Sequence, residues 1–102
     1  MTAMTDLDKQ VLCDLAGSRR EHPTLTYLVH QGVMRWWAFK DAGTTEQDVI
    51  DTLNSLRDRG LVTCTQRWSA RLNAPSDAWA VTDTGVQAAL ATGWTPRTPT
   101  LA

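Results

Sequence analysis

Apolar residues fall along this chain in short groups whose spacing changes from helical to alternating and back. Leu7, Val11, Leu12 and Leu15 recur at helical spacing. Thr5 precedes them as a cap, and Asp6 and Asp8 lie in the first turn, where the helix dipole favours acids. Gly17 is the stop, which leaves Arg19 and Arg20 near the negative helix end. Pro23 then breaks the chain. Thr24 to Val29 alternates weakly, and reads either as a short strand or as the start of a helix with Leu25, Leu28 and Val29 inward. Gly32 interrupts, and Val33 to Ala42 reads as a helix with Val33, Trp36, Trp37 and Phe39 on its apolar side. Ala42-Gly43 is a small-residue turn.

Thr44 or Thr45 caps the next helix, and Thr44 with Gln47 three residues on fits a capping box. Val49, Ile50, Leu53 and Leu56 form its apolar stripe, and Gly60 ends it. Alternation begins at Leu61 and predicts a strand to Trp68, with Val62, Cys64, Gln66 and Trp68 on one side. Ser69 to Asp77 has loop composition. Ala78 to Val81 returns as the partner strand with Trp79 and Val81 inward. Thr82 caps a last helix with Val86, Ala89 and Leu90 inward, and Gly93 ends it. Residues 94–102 carry Pro96 and Pro99 and read as a disordered tail on a single domain spanning 1–93.

At 102 residues the chain holds one modest core, and a hydrophobic content of 42% with 21% charged residues suits a folded domain. No apolar run is long enough for a membrane span, and the first residues lack the basic and apolar regions of a signal peptide. Cys13 and Cys64 match no paired spacing and read as reduced, partly buried thiols, which points to the cytoplasm. The net charge is −1, but the charges are segregated. Residues 44–58 carry net −3 (Arg57 against Glu46, Asp48, Asp51 and Asp58), and residues 59–76 carry net +3 (Arg59, Arg67 and Arg71 with no acid).

A helix running through Asp58-Arg59-Gly60-Leu61-Val62 into a hairpin, which leaves through Trp79-Ala80-Val81-Thr82-Asp83-Thr84-Gly85 into another helix, resembles the winged helix-turn-helix superfamily. The resemblance is carried by joint spacing over residues 44–91 rather than by any one motif. It implies an α+β, mostly α fold: a three-helix core, a two-stranded β-hairpin wing and a C-terminal helix. The long segment after the first helix implies an extra turn or strand there. Many dimeric members use a long terminal helix, which is missing here, so a homodimer is neither implied nor excluded.

In that family the helix from Thr44 is the recognition helix, and duplex DNA is the implied partner. Projected at about 100° per residue, its outward face carries Thr44, Gln47, Asp48, Asp51, Asn54, Ser55 and Asp58. Gln47 and Asn54 have the donor and acceptor that suit adenine, and Asp48 or Asp51 can accept from a cytosine amine. Thr44 and Thr45, with backbone N–H groups at the helix start, can hold a phosphate. Arg67 and Arg71 on the wing are placed to grip the DNA backbone or the minor groove, with Arg19, Arg20, Arg35 and Lys40 at the margins. The resemblance thus implies a transcriptional regulator. The three outward aspartates oppose phosphate attraction, so an alternative is a protein-binding module whose acidic face, or Trp68, meets a basic partner.

Trp36, Trp37 and Trp79 read as core; Trp68 either packs across the hairpin or stands as an exposed anchor. Trp94 either folds back onto the core or docks a second chain. A small pocket lined by Trp36 and Trp37 has little room in a chain this short. His22 and His30 have no carboxylate or cysteine at ligand spacing, glycine-rich phosphate motifs are absent, and no orienting group supports a nucleophile. The expectation is therefore a non-enzyme without metal or cofactor.

Overall fold

The computed structural model describes residues 4–18 and 22–94. Among them are helices α1 (Asp6–Ala16), α2 (Thr26–Val33), α3 (Trp37–Asp41), α4 (Glu46–Asp58) and α5 (Asp83–Ala91), and strands β1 (Thr24–Leu25), β2 (Val62–Ser69) and β3 (Ala74–Val81). The strands form one antiparallel sheet in the order β1-β3-β2. Among the described residues no helix is long and apolar enough to cross a membrane.

Helix α1 starts with a full capping box: the Thr5 hydroxyl accepts the Asp8 N–H at 3.1 Å, and the Asp8 carboxylate accepts the Thr5 N–H at 2.9 Å. Its Val11, Leu12 and Leu15 are buried as their spacing requires. They meet Val29 and Val33 of α2, Val49, Leu53 and Leu56 of α4, and Val62, Trp79 and Val81 of the sheet, with Ala89 of α5 completing the core.

The two readings of residues 24–29 are both realised in part. Thr24 and Leu25 pair with Trp79 and Ala78 as β1, the extra strand, and Thr26 begins α2. Leu25 and Val29 are buried, but Leu28 is exposed. Gly32 does not interrupt: it sits inside α2, where a Cβ would lie 3.3 Å from the Asp14 carboxylate.

The helix expected over 33–42 is split. Met34 to Trp36 leave the helix, and Trp36 takes an extended conformation (φ −90°, ψ 122°) before α3. That break rephases the chain. Trp36 and Trp37 therefore face outward, Trp37 at 75% exposure, and the expectation that they are core is wrong. Phe39 does pack against the core.

Thr45, not Thr44, caps α4, and its box partner is Asp48, not Gln47. The Asp48 carboxylate accepts the Thr45 N–H at 2.9 Å, and the Thr45 hydroxyl accepts the Asp48 N–H at 3.1 Å. Thr44 cannot close a box with Gln47, because its N–H is already bonded to the Phe39 carbonyl at 3.1 Å. The buried stripe is Val49, Thr52, Leu53 and Leu56; Ile50 is only half-buried. The helix closes in a Schellman turn, with Leu61 N–H bonded to Leu56 O and Gly60 N–H to Arg57 O. Gly60 supplies the positive φ (+75°) this turn demands.

The hairpin is longer than its composition suggests. Residues 70–73 alone make the turn, with Asn73 at positive φ, and β3 starts at Ala74 rather than Ala78. Pro75, opposite Trp68, is tolerated because β1 reaches only Ala78 and Trp79, leaving that half of β3 open on one side. Trp79 is 2% exposed, and its indole N–H donates to the Thr26 hydroxyl at 2.9 Å. Thr26 in turn donates to the Asp77 carbonyl at 3.1 Å.

Thr82 caps α5 as expected, accepting the Gly85 N–H at 3.0 Å. A Cβ on Gly85 would lie 2.0 Å from the Leu61 carbonyl oxygen, so α5 can dock here only through a glycine. Ala89 is buried, whereas Leu90, expected inward, is exposed because the helix ends shortly after it. Trp94, the first residue of the expected tail, is instead half-buried against the core, and residues 95–102 lie outside the described residues. Cys13 and Cys64 are free and half-buried, and burial pushes the Cys64 thiol up.

Candidate nucleic-acid interface

The outward face of α4 carries the polar residues that its projection required. Thr45, Gln47, Asp48, Asp51 and Asp58 are exposed, and Thr44, Asn54 and Ser55 are half-buried. Their hydrogen bonds divide them. Asp48 is committed to the cap, and the Thr45 N–H beside it holds its carboxyl below the usual carboxylate range. Thr44 donates its N–H to the Phe39 carbonyl, so the N–H groups of Thr44 and Thr45 are both taken. That removes the backbone donors expected to hold a phosphate at these two residues. Gln47 donates its amide to Asp51 at 2.9 Å, one helical turn on, and both remain exposed.

The entrance to α4 is also fixed from α2. His30 Nε2 lies 3.0 Å from the Thr44 carbonyl oxygen. A carbonyl only accepts, so this ring nitrogen carries the proton. This role leaves no trace in the sequence, where His30 stands out only as a candidate metal ligand or nucleophile partner. Among the described residues no group of three or more His, Cys, Asp or Glu is arranged to hold a metal ion.

Both wing arginines fold back toward the helices. Arg67 donates to the Pro23 carbonyl at 2.6 Å. Arg71, from the wing turn, places its guanidinium 3.9 Å from the Glu46 carboxylate and 4.9 Å above the Tyr27 ring. Arg71 thus stands beside the first turn of α4, and its own side chain stays more than half exposed. Glu46 and Tyr27 gave no signal in the sequence, because only the fold brings them to the wing.

Among the described residues, Arg59, Arg57 and Arg35 are engaged elsewhere. Arg59 pairs with Asp8 at 3.7 Å, and Arg57 lies 6.0 Å from the centre of the Trp79 ring. Arg35 lines a groove between α1, α2 and the end of α5, together with Asp14, Leu28, Trp36 and Trp94. Trp37, expected beside Trp36 in any pocket, is not part of its lining. Burial raises the Asp14 carboxyl in that groove against the opposing pull of Gln10 and Arg35. Arg19 and Arg20 lie outside the described residues. Trp68 is 61% exposed and, with exposed Leu72, gives the wing an apolar side.

No family model and no curated protein matches this chain. Solved structures do resemble it. Bacillus subtilis PadR in complex with operator DNA superimposes with a TM-score of 0.64 at 17% identity, over 98% of this chain and 53% of PadR. A single-site mutant of Lactococcus lactis ZitR gives 0.58 at 14% identity, over 90% of this chain and 52% of ZitR. A double mutant of the same ZitR gives 0.59 at 15% identity with the same coverage. The chain spans about half the length of these structures. At such identities the likeness establishes the fold alone, a winged helix-turn-helix arrangement: α+β, mostly α, with β1 widening the two-stranded wing to a three-stranded sheet.

Proposed function

We propose that this chain binds duplex DNA as a transcriptional regulator, with α4 in the major groove and Arg67 and Arg71 on phosphates. The observation that carries this is the exposed polar face of α4 with the Arg71 guanidinium standing at its first turn. The likeness to PadR, whose structure holds operator DNA, supports the same reading. Gln47, Asp51, Asn54 and Ser55 are the side chains available to base edges. Thr44, Thr45 and Asp48 shape the helix entrance beside them. The working unit is residues 1–93, acting in the cytoplasm without catalytic residue, metal or cofactor.

Because α4 is acidic, phosphate contacts are few, so non-specific binding is weak and the salt slope is shallow. Fluorescence anisotropy on genomic duplex fragments at low salt tests the proposal. Tighter binding of some fragments than others, weakening as salt rises, is the expected result; equal or no binding of all fragments overturns it.

The exposed Trp68 and Leu72 favour a second reading, a protein-binding module whose acidic α4 face meets a basic partner. A Trp68→Ala variant that binds DNA normally but loses a specific protein partner would establish it. Selective DNA binding with no such partner would remove it.

A further inference from the structure

We propose that Gln47 and Asp51 act as one base-reading unit that selects adenine at one base pair and an amine-bearing base at the next. This rests on the DNA-binding reading and names what that surface reads. A carboxylate has only acceptors, so the Gln47 amide must turn its NH2 group toward Asp51. One amide hydrogen is used in that bond. The carbonyl oxygen and the second hydrogen remain, and together they form the edge that pairs with adenine N6 and N7.

Asp51 therefore has two roles. It is a positioning residue for Gln47, restraining a flexible side chain before DNA arrives. Its unused lone pairs face outward as acceptors, which accept a cytosine or adenine amine and repel the O6 and N7 of guanine and the O4 of thymine. The two residues are four apart on α4, about 6 Å along its axis, a span that covers two neighbouring base pairs at about 3.4 Å each, so they address adjacent positions. Asp48 does not compete, because its carboxylate closes the cap. Gln47 and Asp51 are both exposed, so replacing either leaves the core untouched.

Selection from random duplexes with the full chain, followed by anisotropy on single-base variants of the selected site, tests the unit. The expected site contains adenine beside cytosine or adenine. Gln47→Ala flattens preference at the adenine alone. Asp51→Ala flattens preference at both positions, while affinity for unrelated duplex does not fall. Each preference is worth on the order of tenfold. Replacing the adenine by purine, which lacks the amine, weakens wild-type binding to the same extent and leaves Gln47→Ala unaffected. Duplex binding that persists with Asp51→Ala changing only one position, or none, overturns the unit and leaves the DNA reading standing. Failure of the wild-type chain to prefer any duplex overturns the DNA reading itself.

Discussion

Helices α1 and α4 begin with the same device, Thr-x-x-Asp closed as a capping box with matching bond lengths. In each, an arginine from elsewhere approaches an acid of the first turn: Arg59 reaches Asp8 and Arg71 reaches Glu46. The surroundings differ. Asp8 is 6% exposed, and its pairing with Arg59 ties the start of α1 to the end of α4. Asp48 and Glu46 stand at the surface, and Arg71 is shared between Glu46 and the Tyr27 ring. The local motif dictates a cap in both cases, but burial decides what the charge beside it does. A buried pair cannot be given up without loss, whereas an exposed one is worth little and can be exchanged for a phosphate.

Asp8→Ala breaks this comparison hardest. It removes a cap and leaves Arg59 without its acid, which costs about 2–3 kcal/mol. Thermal unfolding should show a fall in Tm on the order of 10 °C; a loss no larger than that of a bare cap would mean the two boxes are equivalent. Arg71→Ala should leave Tm nearly unchanged but weaken DNA binding about tenfold at low salt and lower the salt slope by about one. Thr45→Ala removes only a hydroxyl cap and should cost about 1 kcal/mol in urea unfolding. Glu46→Gln frees Arg71 and should tighten DNA binding by roughly threefold, since an exposed pair holds it with less than about 1 kcal/mol. Unchanged affinity there would show that Arg71 does not meet phosphate.

The smallest effect is in pH. The Asp48 carboxyl is held below its ordinary value of 3.8, so the stability it contributes is present above that value and lost as pH falls through its folded-state pKa. Asp14 is the reverse case. Burial raises its carboxyl, so the folded chain binds its proton more tightly, and a destabilising cost develops as pH rises above 3.8. Urea unfolding of Asp14→Asn should match wild type in acid and gain relative to it toward neutral pH. The Asp48→Asn variant should lose relative to wild type over its own window.

The fold was legible where periodicity and punctuation agree. Thr5 and Thr82 announce their helices, and Asp58-Arg59-Gly60-Leu61-Val62 announces the passage into the sheet. It was illegible where one residue changes phase. The extended Trp36 turns two tryptophans outward, and no pattern in the surrounding residues marks that break. Composition misled at Pro75, Ser76 and Asp77, which belong to a strand because they pair with Trp68, Arg67 and Gln66 of β2, and the open side of β3 tolerates the proline. At the interface, projection located Gln47 and Asp51 on the exposed face of α4, whereas Asn54 and Ser55, projected outward too, are half-buried. It failed to separate Asp48 from Asp51, since the difference lies in which threonine caps the helix. Contacts such as Arg71 with Glu46 and Tyr27 join distant segments and leave no periodic trace.

The hydroxyl of Thr26 accepts from Trp79 and donates to Asp77, joining the first residue of α2 to the root of the wing. In the DNA-binding reading proposed above, that joint lets wing and helices meet a duplex as one body. Encounter rates should then respond mainly to charge and salt, and losses at base-reading side chains should emerge as shorter residence times.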